Sequence, residues 1–170
     1  MRTDAVHGGT RWMEPVLLFA TAAVIFTADQ ASKALVATGV GLNERISIIG
    51  DLVQLWNVRN SGAAFSLFQG GTLLFLAVTV LAFGMIVYFH RTFRGRNPWL
   101  QVLLGVILGG TAGNLVDRVR YGYVTDFISV GIGNIRWPTF NVADASIVVG
   151  IGLLVAYLFL TDRRRQEAGI

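Results

Sequence analysis

Val142-Ala-Asp-Ala-Ser-Ile-Val-Val-Gly-Ile-Gly-Leu-Leu-Val-Ala-Tyr-Leu-Phe-Leu160 holds one charged side chain, Asp144, in nineteen residues. A hydrocarbon core about 30 Å thick takes roughly 20 helical residues to cross, so this run is membrane-grade. Its carboxylate lies near one end, where an ionised group is costly and usually has a functional reason. Three further runs have the same character, at about Pro15–Thr38, Thr72–His90 and Pro98–Val116. The chain is 54% hydrophobic and only 14% charged, against about a quarter charged in soluble domains. The surplus apolar surface therefore faces lipid. The expectation is an α-helical integral membrane protein: one membrane domain over residues 1–170, four transmembrane helices, and two outer segments at 39–71 and 117–141.

The basic residues orient it. Arg2 and Arg11 precede the first run; Arg91, Arg94 and Arg96 separate the second and third; Arg163, Arg164 and Arg165 follow the fourth. Short loops rich in arginine stay in the cytoplasm, which predicts cytoplasmic termini, a cytoplasmic 91–97 loop and outward-facing 39–71 and 117–141 segments. Trp12 and Trp99 fall at the cytoplasmic ends of their runs, as interfacial aromatics do. The arginines can equally meet anionic lipid head groups, and this pattern accounts for the net charge of +4 without nucleic acid. The first run is too long for a signal-peptide core and has no small-residue cleavage site, so it reads as a retained span.

The outer segments carry their own pattern. Ile46–Leu55 alternates loosely between apolar and polar, with Trp56, Val58, Phe65 and Phe68 following and glycines at 50, 62, 70 and 71. Val124–Val130 and Ile135–Phe140 are similar, so short strands joined by turns are expected. They make a small, partly β cap on the outer membrane face.

There is no cysteine, and His7 and His90 lie far from the polar motifs in sequence, which removes thiolate and histidine chemistry. Carboxylates remain. Asp29 and Lys33, four apart on the first run, share a helix face and can pair. A structural ion pair is the plainer reading, an active-site wall the other. Lys33 is the only lysine, so a serine–lysine dyad would need Ser61 or Ser66 folded over it. Asn57-Val-Arg-Asn-Ser-Gly-Ala-Ala-Phe-Ser66 reads by itself as an outward turn. In Gly109-Gly110-Thr-Ala-Gly-Asn114-Leu-Val-Asp117-Arg118 the glycines offer close helix packing. Asn114, Asp117 and Arg118 can lie on one face there, with Asp117 tied to Arg118 or to backbone at the helix end. Asp126 lies in the β-like Tyr123–Ile128 stretch with no basic neighbour. Asp144 lies in a first helical turn behind Asn141, a candidate cap, where the helix dipole favours it. Two partly desolvated carboxylates brought together cannot both ionise easily; one keeps a proton while the other acts as base. Spacing leaves open which two of Asp117, Asp126 and Asp144 meet.

Five motifs in order resemble the lipoprotein signal peptidase (signal peptidase II) family of bacterial membrane aspartyl proteases: Asp29-Gln-Ala-Ser-Lys33, Asn60-Ser-Gly-Ala-Ala-Phe-Ser66, Gly113-Asn-Leu-Val-Asp-Arg118, Val124-Thr-Asp-Phe127 and Phe140-Asn-Val-Ala-Asp144. The resemblance implies four transmembrane helices with a small β-cradle and an outward helix-bearing loop. It implies Asp126 and Asp144 as the catalytic pair, and Asn60, Asn114, Arg118 and Asn141 as polar residues around it. Asp29 and Lys33 become the first-span pair and Asp117 a structural aspartate. The implied reaction is hydrolysis of the peptide bond before the diacylglyceryl-modified cysteine of a prolipoprotein, at the outer face of the bacterial cytoplasmic membrane. No metal and no cofactor are implied, globomycin-type cyclic peptides are implied as inhibitors, and a monomer is the expected state. One departure stands out: Ala145 directly follows Asp144, where the family commonly has serine. Met1–Arg11 carries no motif and reads as a flexible cytoplasmic tail. A transporter with an aspartate proton relay would place its acids at the bilayer midplane and show repeated halves, and neither feature is evident. A non-enzymatic assembly subunit is disfavoured by polar motifs converging on one membrane face.

Overall fold

A computed structural model gives the architecture and describes residues 8–62, 71–93 and 97–167. Among these the chain runs α1 (Gly8–Gly39), β1 (Arg45–Ile49), β2 (Val53–Asn60), α2 (Gly71–Thr92), α3 (Pro98–Tyr121), β3 (Val124–Ile132), β4 (Ile135–Arg136) and α4 (Val142–Glu167). Three stretches are long and apolar enough to cross a membrane: Met13–Gly39, Pro98–Tyr121 and Val142–Thr161. α2 has a comparable length, 22 residues. Phe65, Ser66, Phe68, Gly70, Arg2, His7, Arg94 and Arg96, and the loop expected to carry an outward helix, lie outside the described residues.

The helix limits differ from those read off the apolar runs, for local reasons. α1 begins at Gly8, so it passes through Pro15 and takes in residues 8–11 of the segment expected to be a flexible tail. Proline inside a helix removes one backbone N–H bond and crowds one carbonyl, and α1 continues through it. α3 starts where expected: Asn97 caps it by accepting the Trp99 N–H at 2.9 Å, with Pro98 at the first helical position, where the missing N–H is not needed. It ends at Tyr121 rather than Val116. The stop is Gly122, whose φ of 75° is the left-handed conformation glycine adopts freely. Asp117 and Arg118 therefore belong to the helix and not to the segment after it.

α3 is the central helix, packed against α1, α4 and α2. Glycine makes these approaches possible. A Cβ at Gly105 or Gly109 would lie 2.5 Å from the Leu18 or Ala22 carbonyl oxygen of α1, and at Gly110 it would lie 2.6 Å from Ala143 O of α4. Small residues at four-residue spacing thus let α1 and α3 touch along their backbones. Leu18, Ile86, Leu100, Leu104, Ile107 and Leu154 form one buried cluster, contributed by all four helices. A second, Val36, Val40 and Phe127, glues the end of α1 to the sheet.

The sheet is antiparallel in the order β1-β2-β3-β4. β2 carries one extra residue against β3: Leu55 faces Ile128, but Val58 faces Asp126. Such a bulge re-aims side chains. Asn57, within it, turns inward and donates to Val40 O at 2.7 Å, fastening β2 to the last turn of α1. At the far end the two hairpin tips are tied by Arg136, which reaches Asp51 Oδ1 at 3.1 Å and Ser129 Oγ at 2.8 Å.

Candidate active site

Asn141 organises the site. It is the N-cap of α4: its Oδ1 accepts the Asp144 N–H at 2.9 Å, and Asp144 Oδ2 accepts the Asn141 N–H at 3.3 Å. This is a reciprocal capping box that satisfies two helix-end donors and fixes the Asp144 rotamer. With its oxygen so used, the Asn141 amide nitrogen points the other way. It donates to Asp126 Oδ1 at 2.7 Å and to Asn114 Oδ1 at 3.2 Å. One residue, itself fully buried, therefore ties both carboxylates to one point.

β3 supplies Asp126, which is 2% exposed. Its second oxygen accepts from Asn60 Nδ2 at 2.8 Å, and Asn60 is held in turn by the Gly62 N–H on its own oxygen at 2.9 Å. α3 supplies Asn114, which donates to Asp144 Oδ1 at 2.7 Å. Arg118, half-buried one turn along α3, lies within electrostatic reach of Asp144, Asp126 and Asp117 and donates to Asn114 O at 3.3 Å. Burial pushes the Asp126 carboxyl up from 3.8 to about 6, and the neighbouring Asp144 charge adds to the rise against the bonds from Asn60 and Asn141 and the charge of Lys33. The two carboxylates thus feel each other, and one of them holds a proton more readily than an ordinary aspartate.

Behind this layer lies a second cluster. Lys33 is 5% exposed and Asp29 fully buried. The ammonium contacts Asp29 Oδ2 and Asp117 Oδ2 at 2.8 Å each and Asn114 Oδ1 at 3.0 Å. The expected Asp29–Lys33 pair is present. Asp117 takes an ion pair with Lys33 across the α1–α3 contact, while its neighbour Arg118 lies within its electrostatic reach. Two carboxylates and an amide oxygen surround the Lys33 nitrogen, the setting of an ion-pair partner and not of the free amine that a serine–lysine mechanism needs. Ser32 donates to Asp29 O at 2.8 Å instead.

Of the residues expected near the site, Asn60, Asn114, Arg118, Asp126, Asn141 and Asp144 converge, while Asp29, Lys33 and Asp117 form the layer behind. Three further residues were given no part in the site by the sequence. Gln30 donates to Asp117 Oδ1 at 2.9 Å, Asp29 Oδ2 at 3.2 Å and Gly113 O at 3.3 Å, lacing α1 to α3. Gly113 is the place where a Cβ would strike the Asp29 carboxylate. Asn57 read as an ordinary turn residue. All three work across long sequence separations, and the only signal was that they fall within or beside polar motifs.

Comparison with known proteins finds relatives over most of the chain. The family model described as signal peptidase (SPase) II matches residues 21–160. The lipoprotein signal peptidase of Symbiobacterium thermophilum is 40% identical over 149 residues, 88% of this chain and 98% of that one. That of Halothermothrix orenii is 36% identical, over 86% and 98% of the two chains. Among solved structures, a bacterial membrane enzyme determined by the in meso method at 1.9 Å superposes with a TM-score of 0.76 at 30% identity, over 83% of this chain and 91% of that one. With most of its length matched by model, relatives and structure, the chain belongs to the signal peptidase II family.

Proposed function

We propose that this protein is a lipoprotein signal peptidase whose working groups are Asp126 and Asp144. Family membership supports an aspartic-type endopeptidase acting on prolipoproteins. The observation that carries the site assignment is Asn141, bonded to Asp126 through its amide and to Asp144 through the helix cap. In this reading Asp126, buried and high in pKa, holds the proton, and Asp144, in the first turn of α4, is the base. Asp144 takes a proton from water, whose oxygen adds to the scissile carbonyl, while Asp126 protonates the carbonyl oxygen. The diol collapses as the Asp144 proton passes to the leaving nitrogen, the C–N bond breaks, and Asp126 recovers a proton from the diol. The dyad ends singly protonated, as it began, and no step calls on a metal or cofactor.

The scissile bond is the one before the diacylglyceryl cysteine. All four helices cross the bacterial cytoplasmic membrane in this reading, with both termini inside and the dyad at the outer face, as the arginine distribution supports. An apolar cleft of about 350 Å³ between α2, α3 and α4, lined by Leu81, Met85, Leu104, Ile151 and Leu154, can take apolar side chains of a signal helix lying against these spans. The substrate arrives sideways from the lipid, the enzyme acts as a monomer, and globomycin-type peptides compete for the same site.

The test is cleavage of a lipid-modified prolipoprotein by purified Asp126→Asn and Asp144→Asn variants. Each is expected to lose activity by more than about 10³-fold, the scale of removing one member of a catalytic unit. Near-normal turnover in either removes that residue from the dyad, and loss confined to Asp117→Asn reassigns it.

A further inference from the structure

Two asparagine amides at the dyad are held by groups that can only donate. Asn60 Oδ1 accepts the Gly62 N–H and Asn141 Oδ1 accepts the Asp144 N–H. An amide whose oxygen is fixed has its nitrogen fixed as well, so both present N–H to Asp126. Among the described residues no backbone N–H meets the Asn114 oxygen. Its strongest fixed donor is the Lys33 ammonium at 3.0 Å, the other being the longer 3.2 Å bond from Asn141 Nδ2. Lys33 reaches Asn114 from α1, a helix that gives the dyad no side chain of its own. A cation needed only to neutralise Asp29 and Asp117 would use two acceptors; the third contact is the one that faces the site.

We propose that Lys33 is a positioning residue for the reaction: its ammonium holds the Asn114 amide so that an N–H, never the oxygen, meets Asp144 Oδ1. The inference rests on the dyad reading above. Its consequence concerns where the shared proton can sit. Asp126 Oδ1 accepts from Asn141 Nδ2, Asp126 Oδ2 from Asn60 Nδ2, Asp144 Oδ1 from Asn114 Nδ2 and Asp144 Oδ2 from Asn141 N. Each dyad oxygen is thus met from the protein side by a donor. The proton is left to the carboxylate lone pairs that these donors do not occupy. Turning Asn114 by 180° would offer its oxygen to Asp144 Oδ1 and draw the proton into a buried bond, away from the scissile group.

Lys33→Met alone leaves two buried carboxylates unpaired, a strongly destabilising change. The working variant is therefore Lys33→Met with Asp117→Asn, which keeps the cluster's formal charge at −1: two aspartates and a lysine before, one aspartate after. Against Asp117→Asn as reference, kcat should fall by about 10- to 100-fold, the scale of a misplaced catalytic group, with KM within about twofold and the pH–rate profile displaced. Adding Asn114→Ala should then cost no more than about twofold further, although in the Asp117→Asn reference it costs the full loss. Unchanged kcat, or losses that multiply, overturns the proposal. Should the double variant not fold, the wild-type protein decides. Lys33 is its only lysine, so ¹⁵N-lysine labelling yields one Nζ resonance. That resonance should shift as the dyad titrates and should move on Asn114→Ala; a signal blind to both overturns the proposal. Cleavage surviving in Asp126→Asn or Asp144→Asn would instead sink the dyad reading, so the two failures are distinct.

Discussion

The buried proton of Asp126 should be visible in protein stability before any substrate is added. Its carboxyl is pushed up from 3.8 to about 6, chiefly by burial. A group whose folded pKa is raised contributes stability that is fully present below its unfolded pKa and is lost as pH rises through its folded pKa. For Asp126 the loss falls between about pH 4 and about pH 6. At about 1.36 kcal/mol per pH unit, that interval amounts to about 3 kcal/mol. Thermal unfolding in detergent, followed from about pH 4.5 to about pH 7.5, samples about 2 kcal/mol of it. For a chain of this size that is roughly 4–8 °C in Tm. The comparison is Asp126→Asn, which cannot ionise. Its level of stability is not the test, because the new amide must aim an N–H at the nitrogen of Asn60 or of Asn141. That conflict removes about 1–3 kcal/mol at every pH. The slope is the test: the wild-type Tm should fall with pH across this interval by about 4–8 °C more than the variant's. Parallel curves would refute the placement of a protonated Asp126 in the free enzyme.

The same proton limits catalysis, so kcat/KM should decline as pH rises through about 6, with the singly protonated dyad as the active form; a flat profile from about pH 5 to about pH 8 would contradict it. Gly113→Ala should destabilise by about 2–3 kcal/mol in thermal unfolding, because the added methyl meets an Asp29 carboxylate held by Lys33 and the Ala143 N–H and unable to yield. Activity should fall with it, since Asp29 also holds the first turn of α4. Asn57→Ala should cost about 1–3 kcal/mol by leaving the Val40 carbonyl unpaired, read as a lowered Tm, with proteolysis of the sheet preceding that of the helices.

What the sequence disclosed and what it withheld divide along contact range. The Asp29–Lys33 pair is four residues apart on one helix, and the Asn141 cap three residues from Asp144; both could be read because helix geometry alone brings them together. Asp117 was the opposite case. Its ammonium comes from Lys33, 84 positions away across the α1–α3 contact, and nothing in its own neighbourhood announces that. The misplaced end of α3 has the same origin. Asn114, Asp117 and Arg118 looked like a polar helix terminus because polar residues usually face water, whereas here they face α1, α4 and the dyad. Gly122, the stop itself, stood in plain view one residue past the true end. The strands were visible as apolar alternation, but the bulge at Asn57 was not, since a one-residue slip leaves no mark on composition. Choosing Asp126 and Asp144 from three aspartates took the family resemblance. Spacing supplied the candidates only.

The composition of the two layers has a chemical rationale. A dyad that must keep one proton cannot tolerate a full positive charge in direct contact, because a cation beside both carboxylates would favour ionising both. It does need donors, since unpaired buried carboxylate oxygens are costly. Side-chain amides meet both demands: they donate hydrogen bonds and carry no charge. Among the described residues Asn60, Asn114 and Asn141 occupy these positions with the neutral backbone donor Asn141 N, and Arg118 adds a charge within electrostatic reach of both carboxylates. The lysine is set one residue further back, where Asp29 and Asp117 outweigh its charge, and it touches the dyad only through the Asn114 amide. Exchanging Asn114 for aspartate would bring a third carboxylate against the dyad, and exchanging it for leucine would leave Asp144 Oδ1 without that donor. Both replacements keep the heavy-atom count and branching of the asparagine side chain. The arrangement therefore constrains charge and donor direction at position 114 more tightly than shape.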